Sequence, residues 1–173
     1  MKKYAITIII SGGQSGVDRA ALDFALENSI ICCGWCPKGR KAEDGPIAEK
    51  YPLLETETEL YQQRTRMNVQ DSDATLIITD GKRSRGTDLT AKCADYYAKP
   101  LFAIKSSEKE DIIRLLDWLN RFKPRILNVA GPRGSESSTI YQLARRVLQQ
   151  SLKPSRAKSP GWPPLRPITP DLF

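Results

Sequence analysis

The chain has 173 residues, 40% hydrophobic and 27% charged, with a net charge of +7 from 27 Lys and Arg against 20 Asp and Glu. That length suits one domain with a sizeable core, and no apolar stretch approaches the ~20 residues of a membrane helix, so no membrane partner is expected. It contains no histidine, which removes Ser-His triads, His-based acid-base chemistry and the commonest metal ligand.

Lys2 and Lys3 followed by Ala5 to Ile10 begin like a secretory signal, but the apolar run is short and stops at Ser11-Gly12-Gly13. It reads as the first strand of a cytoplasmic protein. Short β-branched or apolar runs bounded by turn residues predict strands over 4–10, 29–35, 74–79, 101–104 and 125–130. Helical patterns fall between and after them, over 18–27, 57–68, 89–98, 109–122 and 138–150. The last two carry apolar stripes, Ile112, Leu115, Leu116, Leu119 and Phe122 on one, and Ile140, Leu143, Ala144, Val147 and Leu148 on the other. Thr56 with Glu59 has capping-box spacing for the second helix, and Thr87 is a natural N-cap for the third.

Strands alternating with helices predict a three-layer α-β-α domain, a Rossmann-like parallel sheet of about five strands in the order 2-1-3-4-5. This domain is expected over residues 1–152. Residues 153–173 form a proline-rich C-terminal tail, with six of the twelve prolines at 154, 160, 163, 164, 167 and 170. It is expected to be an extended strap, anchored by Trp162, Leu165, Leu172 and Phe173 on its own body or a neighbouring subunit.

The tail's Lys153, Arg156, Lys158 and Arg166 against Asp171 supply +3 of the net charge. With no Lys/Arg run interleaved with aromatics and no helix-turn-helix or RNA-recognition signature, no nucleic-acid partner is expected. Cys33 and Cys36 have redox or zinc spacing, but Cys93 alone is left to complete a zinc set, and loop residues rather than a helix follow Cys36. These read as reduced thiols at a strand end, without zinc.

In open α/β sheets ligands bind beyond the carboxyl ends of the strands. The first strand ends in Gly12-Gly13-Gln14-Ser15-Gly16-Val17-Asp18-Arg19, running straight into a helix. Ser11 stands where a dinucleotide fingerprint needs its first glycine, and no Walker loop exists, so NAD is not expected. The second strand is followed by Pro37-Lys38-Gly39-Arg40-Lys41, the third by a loop from Gly81 to Asp88 containing Gly86 and Thr87, and the fifth by Gly131-Pro132-Arg133-Gly134-Ser135. Tyr61, Arg64, Thr65 and Asn68 share one helix face. Glycine-rich, cationic strand ends on one rim point to a small phosphate-bearing or oxyanion ligand, seated on the amides of residues 12–16 and 86–88 with Lys38, Arg40, Arg64 and Arg133 as counter-charge.

The linked motifs, from Ser11-Gly12-Gly13-Gln14-Ser15-Gly16-Val17-Asp18-Arg19 through Gly34-Trp35-Cys36-Pro37-Lys38-Gly39-Arg40, Tyr61-x-x-Arg64-Thr65-x-x-Asn68, Gly86-Thr87-x-x-Thr90 and Asn128-Val129-Ala130-Gly131-Pro132, resemble the molybdenum cofactor carrier family. The resemblance covers about residues 5–150. It implies a Rossmann-like homo-oligomer, dimer or tetramer, that carries molybdenum cofactor (molybdopterin) or molybdate without turnover and passes it to a molybdoenzyme. Carried onto this chain, the ligand-binding set is Gly12, Gly13, Gln14, Ser15, Gly16, Asp18, Arg19, Lys38, Gly39, Arg40, Arg64, Asn68, Gly86, Thr87, Thr90 and Arg133. The resemblance extends to a wider nucleotide-binding group that includes the lysine-decarboxylase-like phosphoribohydrolases. Their signature places a catalytic Glu where this chain has Thr90, so an enzyme of that type would have to use Asp18 or Asp88 as its acid. A nucleotide sensor is the other alternative.

Overall fold

The computed structural model describes residues 4–82 and 84–152; the tail, and with it the expected strap, lies outside the described residues. In chain order the elements are β1 (Ile8–Ile10), α1 (Val17–Glu27), β2 (Ile31–Cys33), β3 (Trp35–Cys36), a 3-10 turn (Lys38–Arg40), β4 (Lys41–Ala42), β5 (Gly45–Pro46), β6 (Leu54–Glu55), α2 (Tyr61–Gln70), β7 (Ala74–Ile78), α3 (Arg85–Tyr96), β8 (Leu101–Ile104), α4 (Lys109–Phe122), β9 (Ile126–Ala130) and α5 (Ile140–Ser151). All five predicted strands and all five predicted helices form. The predicted strand over 29–35 breaks in two at Gly34, whose φ is 149° and whose backbone passes so close to Ser11 that a Cβ would lie 2.0 Å from the Ser11 carbonyl oxygen. Beyond the break, Trp35 and Cys36 pair in parallel with Leu54 and Glu55 rather than with the main sheet.

The main sheet is parallel throughout, in the order β2-β1-β9-β7-β8. This corrects the expected order, in which the last strand lay at an edge. It inserts instead between the first and third main strands, where Leu127 and Val129 are fully buried and Asn128 donates from Nδ2 to Thr75 Oγ1 at 3.3 Å. If the chain were rejoined end to end and opened before β9, the order would read 3-2-1-4-5, the arrangement of doubly wound dinucleotide-binding sheets. The strand order therefore reverses between β9 and β7, and a crevice is expected beyond their carboxyl ends.

Helices α1, α5 and α4 pack side by side, and α2 pairs with α3, giving the three layers. The predicted stripes face inward except at Phe122, which is exposed at the end of α4: Leu115 and Leu119 of α4, and Ile140, Ala144, Val147 and Leu148 of α5, are all fully buried in the core that holds Ile9, Leu76 and Leu127. Each buried Leu or Ile contributes about 1.5–3 kcal/mol over its exposed state. Asp23 of α1 joins three elements on this side, accepting hydrogen bonds from Tyr51 Oη at 2.7 Å and Tyr141 Oη at 2.8 Å.

Both predicted caps are displaced. Thr56 is held extended because its N–H donates to the Cys36 carbonyl at 2.8 Å, continuing the β3–β6 pairing, so α2 starts only at Tyr61. Thr58, ahead of the helix, pairs instead with Gln63 in its first turn, Thr58 Oγ1 donating to Gln63 Oε1 at 2.7 Å. In α3 the N-cap is Ser84, and Thr87 lies within the first turn, its hydroxyl donating to the Ser84 carbonyl at 2.8 Å.

Candidate functional site

A pocket of about 220 Å³ opens at the crevice between β9 and β7. Its wall is drawn from segments far apart in sequence: Gln14 after β1, Tyr61 and Arg64 of α2, Ser84 to Gly86 at the start of α3, and Gly131 and Arg133 after β9. Three of the glycine-rich strand ends expected to converge thus meet here with the face of α2.

The floor is an ion pair. Arg64 Nη1 lies 2.9 Å from Asp18 Oδ2, and Asp18 is 2% exposed. The guanidinium reaches this depth because residue 12 is glycine; a Cβ there would stand 1.9 Å from Arg64 Nη1. Burial pushes the Asp18 carboxyl above its ordinary range, and the charge of Arg64 with the Gln14 N–H offsets this only in part. Asp18 also sits in the first turn of α1, where a carboxylate complements the helix dipole. The N-terminus of α1 therefore brings its own anion.

Two buried donors are left over. Gln14, 6% exposed, spends its side-chain oxygen on the N–H groups of Ser15 at 3.0 Å and Glu43 at 2.9 Å, while its Nε2 has no partner. Arg64 Nε is likewise without a partner. Across the pocket, the first helical hydrogen bond of α3 runs from Asp88 N to Ser84 O at 2.9 Å, so the amides of Arg85, Gly86 and Thr87 precede it at the positive end of that helix. Arg133 closes the rim over the Tyr61 ring, 5.7 Å from its centroid.

Next to the pocket, the loops after β1 and β9 are joined by a carboxylate. Glu43 accepts hydrogen bonds from the Ser15 and Ser135 hydroxyls and, at 3.0 Å, from Ser135 N, while Gly134 N donates to Ser15 Oγ at 2.9 Å. Burial alone would raise its pKa, but these hydroxyls, the amide and Arg133 hold it below the usual carboxylate range. Glu43→Ala is expected to cost about 1–2 kcal/mol by leaving these donors without their acceptor; a chemical-denaturation midpoint unchanged from that of the original protein would contradict the assignment.

The remaining predicted residues are placed elsewhere or spent on structure. Arg19 donates to Gly13 O at 3.1 Å and pairs with Asp44. Arg40 directs its guanidinium at the carbonyls of Ile47, Ala48, Tyr51 and Leu53. Asn68 clamps the Trp35 backbone, accepting from its N–H at 2.7 Å and donating to its carbonyl at 3.0 Å. Lys38 and Gly39 line a separate shallow depression with Lys41 and Glu59. Thr90 is buried and donates to Gly86 O at 2.8 Å. Gly13, Ser15, Gly16 and Thr87 shape the loops without lining the pocket. The four thiols are buried, and burial pushes those of Cys32 and Cys33 up to about 11 and about 12. Sequence reasoning missed Arg85, Glu136 and Glu43. Arg85 lies within the predicted loop from Gly81 to Asp88 and Glu136 directly follows the one after β9, but nothing local marks Glu43, which meets Ser135 across 92 residues of chain.

Residues 9–152 match the circularly permutated YpsA SLOG family. The chain belongs to that family. Circular permutation of a 3-2-1-4-5 sheet gives the order seen in this SLOG protein, with the last strand in the central position. Among solved structures, the "Putative molybdenum carrier protein" from Syntrophus aciditrophicus SB shares 44% sequence identity at a TM-score of 0.83, over 86% of this chain and 96% of that one. No curated protein matches the chain. The family resemblance and the Rossmann-like fold read from the motifs are both borne out. Among the described residues, no helix is long and apolar enough to cross a membrane.

Proposed function

We propose that this SLOG protein is a carrier that holds molybdenum cofactor, molybdopterin phosphate or molybdate by its oxyanion in the β9–β7 pocket, without turnover. The observation that supports the reading is the cationic, amide-rich lining of one pocket by Gln14, Arg64, Arg85, Arg133 and the start of α3, with two buried donors that lack an acceptor, Gln14 Nε2 and Arg64 Nε, just beneath its surface. Buried polar groups are almost always satisfied, and an oxyanion is pure acceptor, so it complements this donor set. The set fits a tetrahedral dianion. It offers no thiolate for a metal, since the cysteines are buried with raised pKa values, so the cargo would be gripped through oxygen. The same reading includes a cytoplasmic homo-oligomer, dimer or tetramer, that delivers to a molybdoenzyme.

Calorimetric titration with molybdate and with inorganic phosphate tests it. Arg133→Ala is expected to weaken both by about 10-fold or more, the loss of one charge-assisted contact. Incubation with nucleoside monophosphates should release no free base, because Thr90 stands in place of the hydrolases' acid. Equal affinity in the variant, or release of base, would contradict the proposal.

A further inference from the structure

The β9–β7 pocket already contains an anion of its own. Among the carboxylates around it, Glu136 alone lines it, while Asp18 and Glu43 lie outside the lining. Glu136 accepts from the Ser84 hydroxyl at 3.2 Å and from Arg133 N at 3.2 Å, and its carboxylate stands 3.8 Å from Arg133 Nε. We infer, resting on the oxyanion reading above, that Glu136 is the pocket's internal ligand, an intramolecular rival that holds Ser84 and Arg133 until an incoming oxyanion displaces it.

The groups that Glu136 holds are the ones an oxyanion needs. A serine at an N-cap ordinarily accepts from an amide of its own first turn. Ser84 makes no such cap and gives its hydroxyl to Glu136 instead, so the first amides of α3 lack their usual side-chain acceptor. Glu136 is also loosely held. Its bond from Ser84 is longer than the usual span of about 2.5–3.0 Å for a hydroxyl donor, and its side chain is 39% exposed, so water is at hand when it lets go. Glu43, the other carboxylate 3.8 Å from Arg133 Nε, is fixed by two serine hydroxyls and the Ser135 amide. Arg133 therefore stays at the rim, between Glu43 and the Tyr61 ring, when Glu136 leaves.

Charge makes the two anions exclusive. A carboxylate and molybdate are both pure acceptors, with no proton to share between them. Seated together in a pocket of about 220 Å³ they would repel each other and divide the same donors.

Glu136→Gln keeps the shape of the side chain and removes its charge. Calorimetric titration of this variant with molybdate and with inorganic phosphate is expected to show binding about fivefold or more tighter than that of the original protein. The gain should persist in about 0.5 M salt, where the field of a merely distant charge is screened. A residue that only positions Arg133 would give the opposite sign, weaker binding in the variant. The original protein crystallised with tungstate supplies a readout that needs no variant. With the anion bound, Ser84 Oγ and Arg133 N should both lie beyond hydrogen-bond reach of Glu136, and Glu43 should keep its contacts with Ser15 and Ser135. Equal or weaker binding by Glu136→Gln, a gain that vanishes in salt, or tungstate bound in the pocket with both Glu136 contacts intact would overturn the rival. If neither the original protein nor Glu136→Gln bound molybdate or inorganic phosphate, the oxyanion reading itself would fall.

Discussion

Arg64→Met is expected to destabilise the protein by about 3–5 kcal/mol, because it strips the partner from a carboxylate that has nowhere to find water. Asp18 is 2% exposed and its ion-pair partner is 2.9 Å away. Removing the guanidinium leaves a buried charge that must either stay unpaired or take up a proton, and both cost free energy. For a domain of this size the loss corresponds to a fall in Tm of about 10 °C. The double substitution Asp18→Asn with Arg64→Met removes the orphan charge and should recover most of the loss, since the two residues act as one unit. Measured without ligand, a single-mutant loss below about 1 kcal/mol would mean that water reaches Asp18 and that the floor of the pocket is not a buried pair.

Gly131→Ala is expected to be as damaging for a different reason. A Cβ at this position would stand 2.2 Å from the Ile78 carbonyl oxygen and 2.4 Å from Val17 Cγ2. One obstacle is backbone of the inner strand β7 and the other is a fully buried side chain at the start of α1, so neither can yield cheaply. A cost of about 3 kcal/mol, the upper end of overpacking, is expected. The loop carrying Arg133 would move with it, and oxyanion binding should be lost beyond what the stability change explains. Gly86 provides the contrast from the same pocket. Its nearest obstacle is Ser84 Oγ at 3.7 Å and its backbone is helical, so Gly86→Ala should stabilise the fold by about 0.5–1 kcal/mol. Denaturant unfolding of both variants checks the pair: similar midpoints for the two would contradict the packing account.

What the sequence could and could not disclose follows from the range of the forces involved. Helices α4 and α5 were legible because a 3.6-residue period is a local property, and the same stripe of Leu115, Leu119, Ala144 and Val147 is what the core buries. Strand order was not legible. β9 and the edge strand β8 are both short apolar runs, and nothing in either says that β9 pairs with β1 and β7 at once. The caps failed for a related reason: Thr56 has the right neighbours for a capping box, but the β3–β6 pairing over some 20 residues of chain outweighs it.

The site divides in the same way. Gly12, Gln14, Gly86, Gly131 and Arg133 were visible as glycine-rich cationic strand ends, because the chain must turn sharply there and a parallel sheet puts all those turns on one rim. Which cations face a ligand was not visible. Arg40 and Arg64 look alike in sequence, yet one caps the carbonyls of the segment from Ile47 to Leu53 and the other reaches under the pocket to Asp18. Glu43 shows the converse, a loop carboxylate whose seat between Ser15 and Ser135 exists only after the sheet has brought their loops together.

The location of a heavy oxyanion tests the central claim most directly. Crystals grown with sodium tungstate, measured at the tungsten absorption edge, should show an anomalous peak within about 4 Å of Gln14 Nε2, between Arg133 and the first amides of α3, the reach of direct hydrogen bonding from the tungsten-bound oxygens. A peak at the Lys38–Lys41 depression instead, or none in this pocket at saturating tungstate, would contradict it.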